Sequence, residues 1–163
     1  MEQGPILIRA IRPADWRRLK AFYARLSPDS LATRFLGARR GISDEEALAF
    51  AGARQRSADG MVAIERSSGK IVGHLCLEPI GGGVEEIAVA TADPLHGRGI
   101  GRELVKAAAA SGRRRGARAF VATMLTGNRG IHRLLQRAGI PWRRRSLDAT
   151  TERLTLDLLA SSA

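Results

Sequence analysis

The stretch that most limits what this chain can become is "PLHGRGIGRELVKAAAASG", residues 94–112. Gly97, Gly99 and Gly101 alternate with Arg98 and Ile100, while His96 and Arg102 flank them, and an alanine-rich helical pattern follows directly. Glycine at that density means a backbone that bends sharply or is approached closely. The helix behind it offers unpaired N–H groups and the positive end of its macrodipole, so the natural visitor is an anion, often a phosphate. The rest of the chain must say which phosphate.

The flanking segments read as a strand over "ILIRAI" (6–11) and a helix over "RPADWRRLKAFYARLS" (12–27). In that helix Trp16, Leu19, Phe22, Tyr23 and Leu26 recur at helical spacing, and Pro13 suits the first turn. "PDSLATRF" (28–35) predicts a short second helix, and "SDEEALAFAGAR" (43–54) a third, with Ser43 and Glu46 spaced as a capping box. Then the texture changes. "MVAIERSSGKIVGHLCLEPI" (61–80) predicts two strands hinged at Ser68-Gly69, and "GVEEIAVAT" (83–91) a third. After the glycine-led helix come a strand (117–125), a helix (128–139) ended by Gly139, and a closing strand pair in "IPWRRRSL" and "ERLTLDLL". No internal repeat or long linker interrupts this order, which predicts one mixed α/β domain over residues 1–163.

Composition narrows the class. Hydrophobic residues make up 44% and charged residues 26%, ordinary for a globular chain. No run of ~18 apolar residues marks a membrane span, and the start carries no signal-peptide pattern. The lone Cys76 can form no internal disulfide, so a cytoplasmic location is expected. The formal charge is +11, carried almost wholly by arginine, with lysine only at 20, 70 and 106. Such a surface suits phosphates, whether of nucleic acid or of a cofactor.

Three phosphate loops compete for residues 94–112. A P-loop needs GxxxxGK followed by Ser or Thr, which the chain lacks. The dinucleotide pattern GxGxxG from Gly97 would need glycine or alanine where Arg102 stands, and no series of βαβ units supports it. The third is the Q/R-x-x-G-x-G/A loop of the GCN5-related N-acetyltransferases, the GNAT superfamily. "IAVATADPLHGRGIGRELV" resembles that family's central motif, with His96 where Gln or Arg is usual, and "TGNRGIHRLLQRAGI" resembles its next one. The opening "IRAIRPADWRRLKAFYARLSPDSLATRF" is similar to the acetyltransferase domain of bacterial Pat-type protein-lysine acetyltransferases. The cyclic-nucleotide-binding or acyl-CoA-ligase-like regions often joined to that domain are not expected here, nor is their regulation.

The resemblance implies a GNAT-like, mostly antiparallel sheet flanked by helices, and a transferase that uses acetyl-CoA as cosubstrate. It implies an acyltransferase moving the acetyl group directly to a primary amine, a small molecule or a protein lysine. It places Val89, Ala90 and Thr91 at a bulge whose free backbone groups meet the pantetheine arm, and His96, Gly97, Arg98, Gly99, Ile100, Gly101 and Arg102 around the pyrophosphate. Arg98 and Arg102 either touch phosphate or are plain surface charges. Asn128 contacts the cofactor, caps the following helix, or does both.

An alkylamine of pKa about 10.4 is protonated at neutral pH and must lose a proton to attack. Adjacent Glu85 and Glu86 point to opposite sheet faces, so at most one faces the cleft; the family's spacing selects Glu86 as base. Many relatives carry a tyrosine at the position of Leu135 to protonate the leaving thiolate. Here the chain's one tyrosine is Tyr23, and Pat-type domains lack that tyrosine too. Cys76 in "VGHLCLEP" reads as a small hydrophobe, and with His74 and His132 it has no metal-ligand spacing, so no metal is expected. Two other readings stand beside this one. "GRRRGAR" and "WRRRS" suggest a nucleic-acid-binding protein, against which stand 4% aromatics and no recognised binding motif. A non-catalytic acetyl-CoA sensor would share the whole cofactor site.

Overall fold

The computed structural model describes residues 5–53 and 60–160. In chain order it forms β1 (Ile6–Ala10), a 3-10 turn (Pro13–Asp15), α1 (Trp16–Ala24), α2 (Pro28–Phe35), α3 (Asp44–Phe50), β2 (Met61–Glu65) and β3 (Ile71–Gly81). There follow β4 (Val84–Thr91), a second 3-10 turn (Asp93–Leu95), α4 (Ile100–Arg115), β5 (Ala119–Leu125), α5 (Arg129–Ala138), β6 (Trp142–Ser146) and β7 (Thr151–Asp157). One sheet takes the order β1-β2-β3-β4-β5-β7-β6. Every pairing is antiparallel except β4 with β5. Parallel neighbours need a long crossover, and α4 supplies it.

Two cores sit on the two faces. On the front, Leu19, Phe22 and Tyr23 of α1 and Leu31 of α2 pack with Val62, Ile64 and Ile71. On the back, Leu104, Val105, Ala108 and Ala109 of α4 pack with Leu75, Ile87, Phe120 and Leu154. The stripe at 104, 105, 108 and 109 is the 3.6-residue period at work. Gly73 lets α4 come close: a Cβ there would lie 3.0 Å from both Ile100 Cγ2 and Leu104 Cδ1. β7 buries Leu154 and Leu156 behind the sheet, whereas Arg153 and Asp157 on its front are exposed.

Two helix expectations change. The segment 12–27 is not one helix. Its start is a 3-10 turn because Asp15 turns inward, accepting from Arg9 Nη1 and Nη2 at 2.7 and 2.9 Å, from the Arg12 backbone N–H at 2.8 Å, and from Arg18. Burial pushes the Asp15 carboxyl up, but the Arg9 and Arg12 hydrogen bonds outweigh it and hold it at about 2. The helix stops at Ala24 because Ser27 turns extended and its hydroxyl accepts the Ser30 N–H, capping α2. The expected helix 43–54 does begin in a Ser43–Glu46 capping box and runs to Phe50; residue 54 lies outside the described residues.

Candidate functional site

β4 and β5 pair over only three positions, Val84 with Ala119, Glu85 with Phe120 and Glu86 with Val121. Past them the strands part, so from Ile87 to Thr91 the β5-facing side of β4 has no strand partner. The gap holds a cavity of about 50 Å³, lined among others by Ala88, Val89, Thr123, Met124, Asn128 and Leu135. It runs into a cleft of about 1010 Å³, since Thr33, Arg34, Val89, Asn128, Ile131 and Leu134 line both. The register of β4 against β3 is unbroken from Thr91 back to Glu85. The expected bulge at Val89–Thr91 is therefore absent: separation from β5, not an extra residue, exposes that stretch.

The cleft brings together Val89, Ala90 and Thr91, all seven residues His96–Arg102, and Asn128. Gly97 and Gly99 adopt φ of +77° and +85°, the left-handed region where a Cβ is strained. A Cβ on Gly97 would meet nothing within 4 Å, so its face is open. Gly101 does something else. A Cβ there would lie 2.5 Å from Leu134 Cδ1, so this glycine lets α5 close on α4. The first-turn N–H groups of α4 have no intrahelical acceptor and open on the same cleft, which fits a diphosphate. Arg98 lines the cleft, and Arg102 Nε donates to Glu103 Oε1 at 3.0 Å. His96 Nε2 donates to the Thr91 carbonyl at 3.0 Å, which closes the loop on the protein itself. Asn128 caps α5, its Oδ1 accepting the Ile131 N–H at 3.3 Å, while its residue lines the cleft.

The paired glutamates separate. Glu85 faces back, 7% exposed, and accepts from Arg115 Nη2 at 2.7 and 3.0 Å. Glu86 faces front, half-buried, with no ion pair among the described residues. It lines neither the cavity nor the cleft; it stands two residues, about 7 Å of strand, before Ala88, which lines the cavity. Directly opposite Glu86 on β3 is Glu78, a second front-face carboxylate that sequence reasoning missed.

Other supports were also missed. Asp93 accepts from Ser27 N and Oγ at 3.0 and 2.6 Å and from Ser30 Oγ at 2.7 Å, tying the glycine loop to α2. Burial pushes this carboxyl up, but the serine hydrogen bonds prevail and hold it at about 2. Ser27 carries a cap signal in the sequence; its partner 66 residues away carries none. Beneath the cleft, Arg34 Nη2 donates to Cys76 Sγ at 3.2 Å and its guanidinium lies 4.6 Å from the Phe35 ring. Cys76 is thus half-buried beside a cation, not a purely apolar filler. Burial pushes its thiol up, Arg34 opposes, and Glu78 and Glu86 add to the push. Tyr23 OH and His74 Nδ1 are 2.8 Å apart in full burial. Burial and Arg34 lower the imidazole to about 3, so it is neutral. Leu135, 2% exposed, packs in the back core. His132 meets Glu152 at 2.6 Å on the far face. Among the described residues no group of three or more His, Cys, Asp or Glu could hold a metal ion, and no helix is long and apolar enough to cross a membrane.

Residues 17–140 match the model of the acetyltransferase (GNAT) family. The structure is similar to the GNAT domain of S. lividans PAT, with a TM-score of 0.81, 26% identity, and coverage of 94% of this chain and 91% of that one. It is similar in fold to the yncA protein of Salmonella typhimurium with its cofactor acetyl-CoA (TM-score 0.72, 20% identity, 97% and 96% covered). It also shares the fold of diaminobutyrate acetyltransferase EctA from Paenibacillus lautus, in complex with L-2,4-diaminobutyric acid and coenzyme A (TM-score 0.68, 16% identity, 97% and 98% covered). No curated protein matches the sequence.

Proposed function

The chain belongs to the acetyltransferase (GNAT) family, and from that premise we propose that it transfers acetyl from acetyl-CoA directly to a primary amine, a protein lysine being the fitting acceptor. The observation that carries this reading is the parting of β4 from β5 just past Glu86, beside a glycine loop open to a diphosphate. Bound there, acetyl-CoA supplies an activated thioester carbonyl. Backbone N–H groups on the β5-facing side of Val89–Thr91, which has no strand partner, orient and polarise it, and the α4 N-terminus with Gly97 and Gly99 holds the diphosphate.

Glu86 takes the proton from the incoming ammonium, directly or through one water across the span to Ala88. Glu78 opposite helps draw the cation in. Glu85 has no such role, being committed to Arg115. Cys76 is held as a neutral thiol by burial, which favours direct attack over an acyl-cysteine route. No acid stands at Leu135, and the Tyr23 hydroxyl is buried against His74. The thiolate, of pKa near 8.5 as an ordinary thiol, leaves unassisted or takes its proton from water.

The test is ligand and turnover together. Thermal shift should respond to acetyl-CoA more than to ATP or NAD, by about 2.7 kcal/mol of stabilisation at 100 times the dissociation constant. CoA release against a panel of amines and lysine peptides should exceed the rate without acceptor. A larger response to ATP or NAD would refute the cofactor assignment. Tight binding without turnover on any amine would leave a sensor.

A further inference from the structure

The front face of the sheet carries two like-charge pairs of opposite sign, and the partner that relieves both has a definite chemistry. Strand register places Glu78, Glu86, Val121, Thr155 and Arg143 in one row across β3, β4, β5, β7 and β6. Residues paired across strands share a face, so the row runs from two carboxylates to a guanidinium. In the next row Arg153 stands directly opposite Arg145, on the same face as Arg143. Like charges directly opposite each other weaken a sheet. Glu78 faces Glu86 at one end, and Arg145 faces Arg153 at the other.

No ion pair ties these arginines down among the described residues, and the one front-face carboxylate of β7, Asp157, stands one row beyond Arg143. Arg143, Arg145 and Arg153 are exposed, and none has a carboxylate within 4.0 Å among the described residues. The back of β7 is buried through Leu154 and Leu156, while its front residues remain exposed or half-exposed. Between the arginines and Glu86 the row passes Val121, only 8% exposed, so the open part of this face begins at half-buried Thr155 on β7.

We infer that this face selects an acidic acceptor segment: a lysine whose neighbours along the chain include aspartate or glutamate. The inference rests on the acetyltransferase reading above. The lysine ammonium sits at the Glu78–Glu86 end, and acidic side chains meet Arg143, Arg145 and Arg153. Three strand spacings separate Glu86 from Arg143, roughly 14 Å, which an extended peptide crosses in about four residues at ~3.3 Å each. The favoured acceptor therefore carries its acidic residues about three to five positions from the lysine. A nucleic acid would find the arginines but be repelled by the carboxylates beside them.

Decapeptides with a single lysine and Asp, Ala or Arg at those positions test this, with butylamine as a flank-free amine. At low salt kcat/KM should fall in the order Asp, Ala, Arg, by at least tenfold from first to last, and added salt should compress the range. Combined Arg143→Glu, Arg145→Glu and Arg153→Glu should reverse the order and leave the butylamine rate within twofold. The same charge change at exposed Arg17, Arg66 and Arg114 should keep it. An unchanged order in the front-face variant overturns the inference, as does an equal loss on butylamine. Duplex DNA binding that disappears in that variant while the peptide order stands also overturns it. Anisotropy of the same peptides, labelled, on the acetyl-CoA-loaded protein reads the arginines without turnover. A preference there with no catalysis on any amine would refute the transferase reading alone.

Discussion

Along β4, the residues from Val84 to Glu86 are bonded on both sides, and those from Ile87 to Thr91 on one. The first stretch behaves as core. Glu85 is buried and locked to Arg115, and Phe120 beside it is fully enclosed. The second stretch gives up half its ladder and in return lines a cavity that opens on the glycine loop. Unpaired backbone in a sheet interior costs free energy, so a strand that keeps it must have a partner to offer it to. What the difference teaches is that the same strand supplies stability at one end and, in the proposed function, chemistry at the other. Glu86 stands at the junction.

Substitutions on either side of that junction should therefore fail in different currencies. The largest effect is expected from Glu86→Gln, which keeps size and hydrogen bonding but removes the proposed base: turnover near neutral pH should drop roughly 10²–10⁴-fold. Acetyl-CoA affinity, read by calorimetry, should barely change. Next is Gly99→Gln. Its φ of +85° strains any side chain, and a Cβ there would stand 3.2 Å from the Arg102 guanidinium, at the proposed diphosphate site. CoA affinity should fall tenfold or more, with the circular dichroism of a folded protein retained.

The bonded stretch should show the reverse pattern. Glu85→Gln should keep turnover within a few-fold. Arg115→Met, which strands a buried carboxylate, should cost about 1–3 kcal/mol in denaturant unfolding. A dead Glu85→Gln beside an active Glu86→Gln would invert the comparison.

The smallest effect concerns the strap from the loop to α2. Asp93 titrates at about 2 in the fold against about 3.9 unfolded, so its stabilisation is present above pH ~4 and lost as pH falls towards 2. Asp93→Asn should lower melting temperature slightly at pH 7 and flatten its decline between those pH values. Asp15 is held at about 2 as well, so the difference between variant and parent is the quantity to read.

Much of this is legible in the sequence. The helix at 28–35, the Ser43–Glu46 box, Asn128 as a cap and Gly139 as a stop are local signals, and local signals survive folding. The opposition of Glu85 and Glu86 follows from strand geometry alone. What stayed hidden is non-local. Asp15 broke a helix by reaching Arg9, and Asp93 found serines far along the chain. Cys76 met Arg34 across the front layer. The parting of β4 from β5 has no residue pattern of its own; it emerges from how two strands diverge, and a bulge was the nearest local surrogate for it.

The claim that Glu86 works as a base, and not as a prop for the junction, is tested most directly by a pH–rate profile. Turnover of parent and Glu86→Gln would be measured on one lysine peptide at saturating acetyl-CoA from about pH 6.5 to 9.5. A neutral amine needs no base, so the gap between the two should narrow steadily as pH approaches the amine pKa of about 10.4. A gap that stays constant across that range would contradict the account.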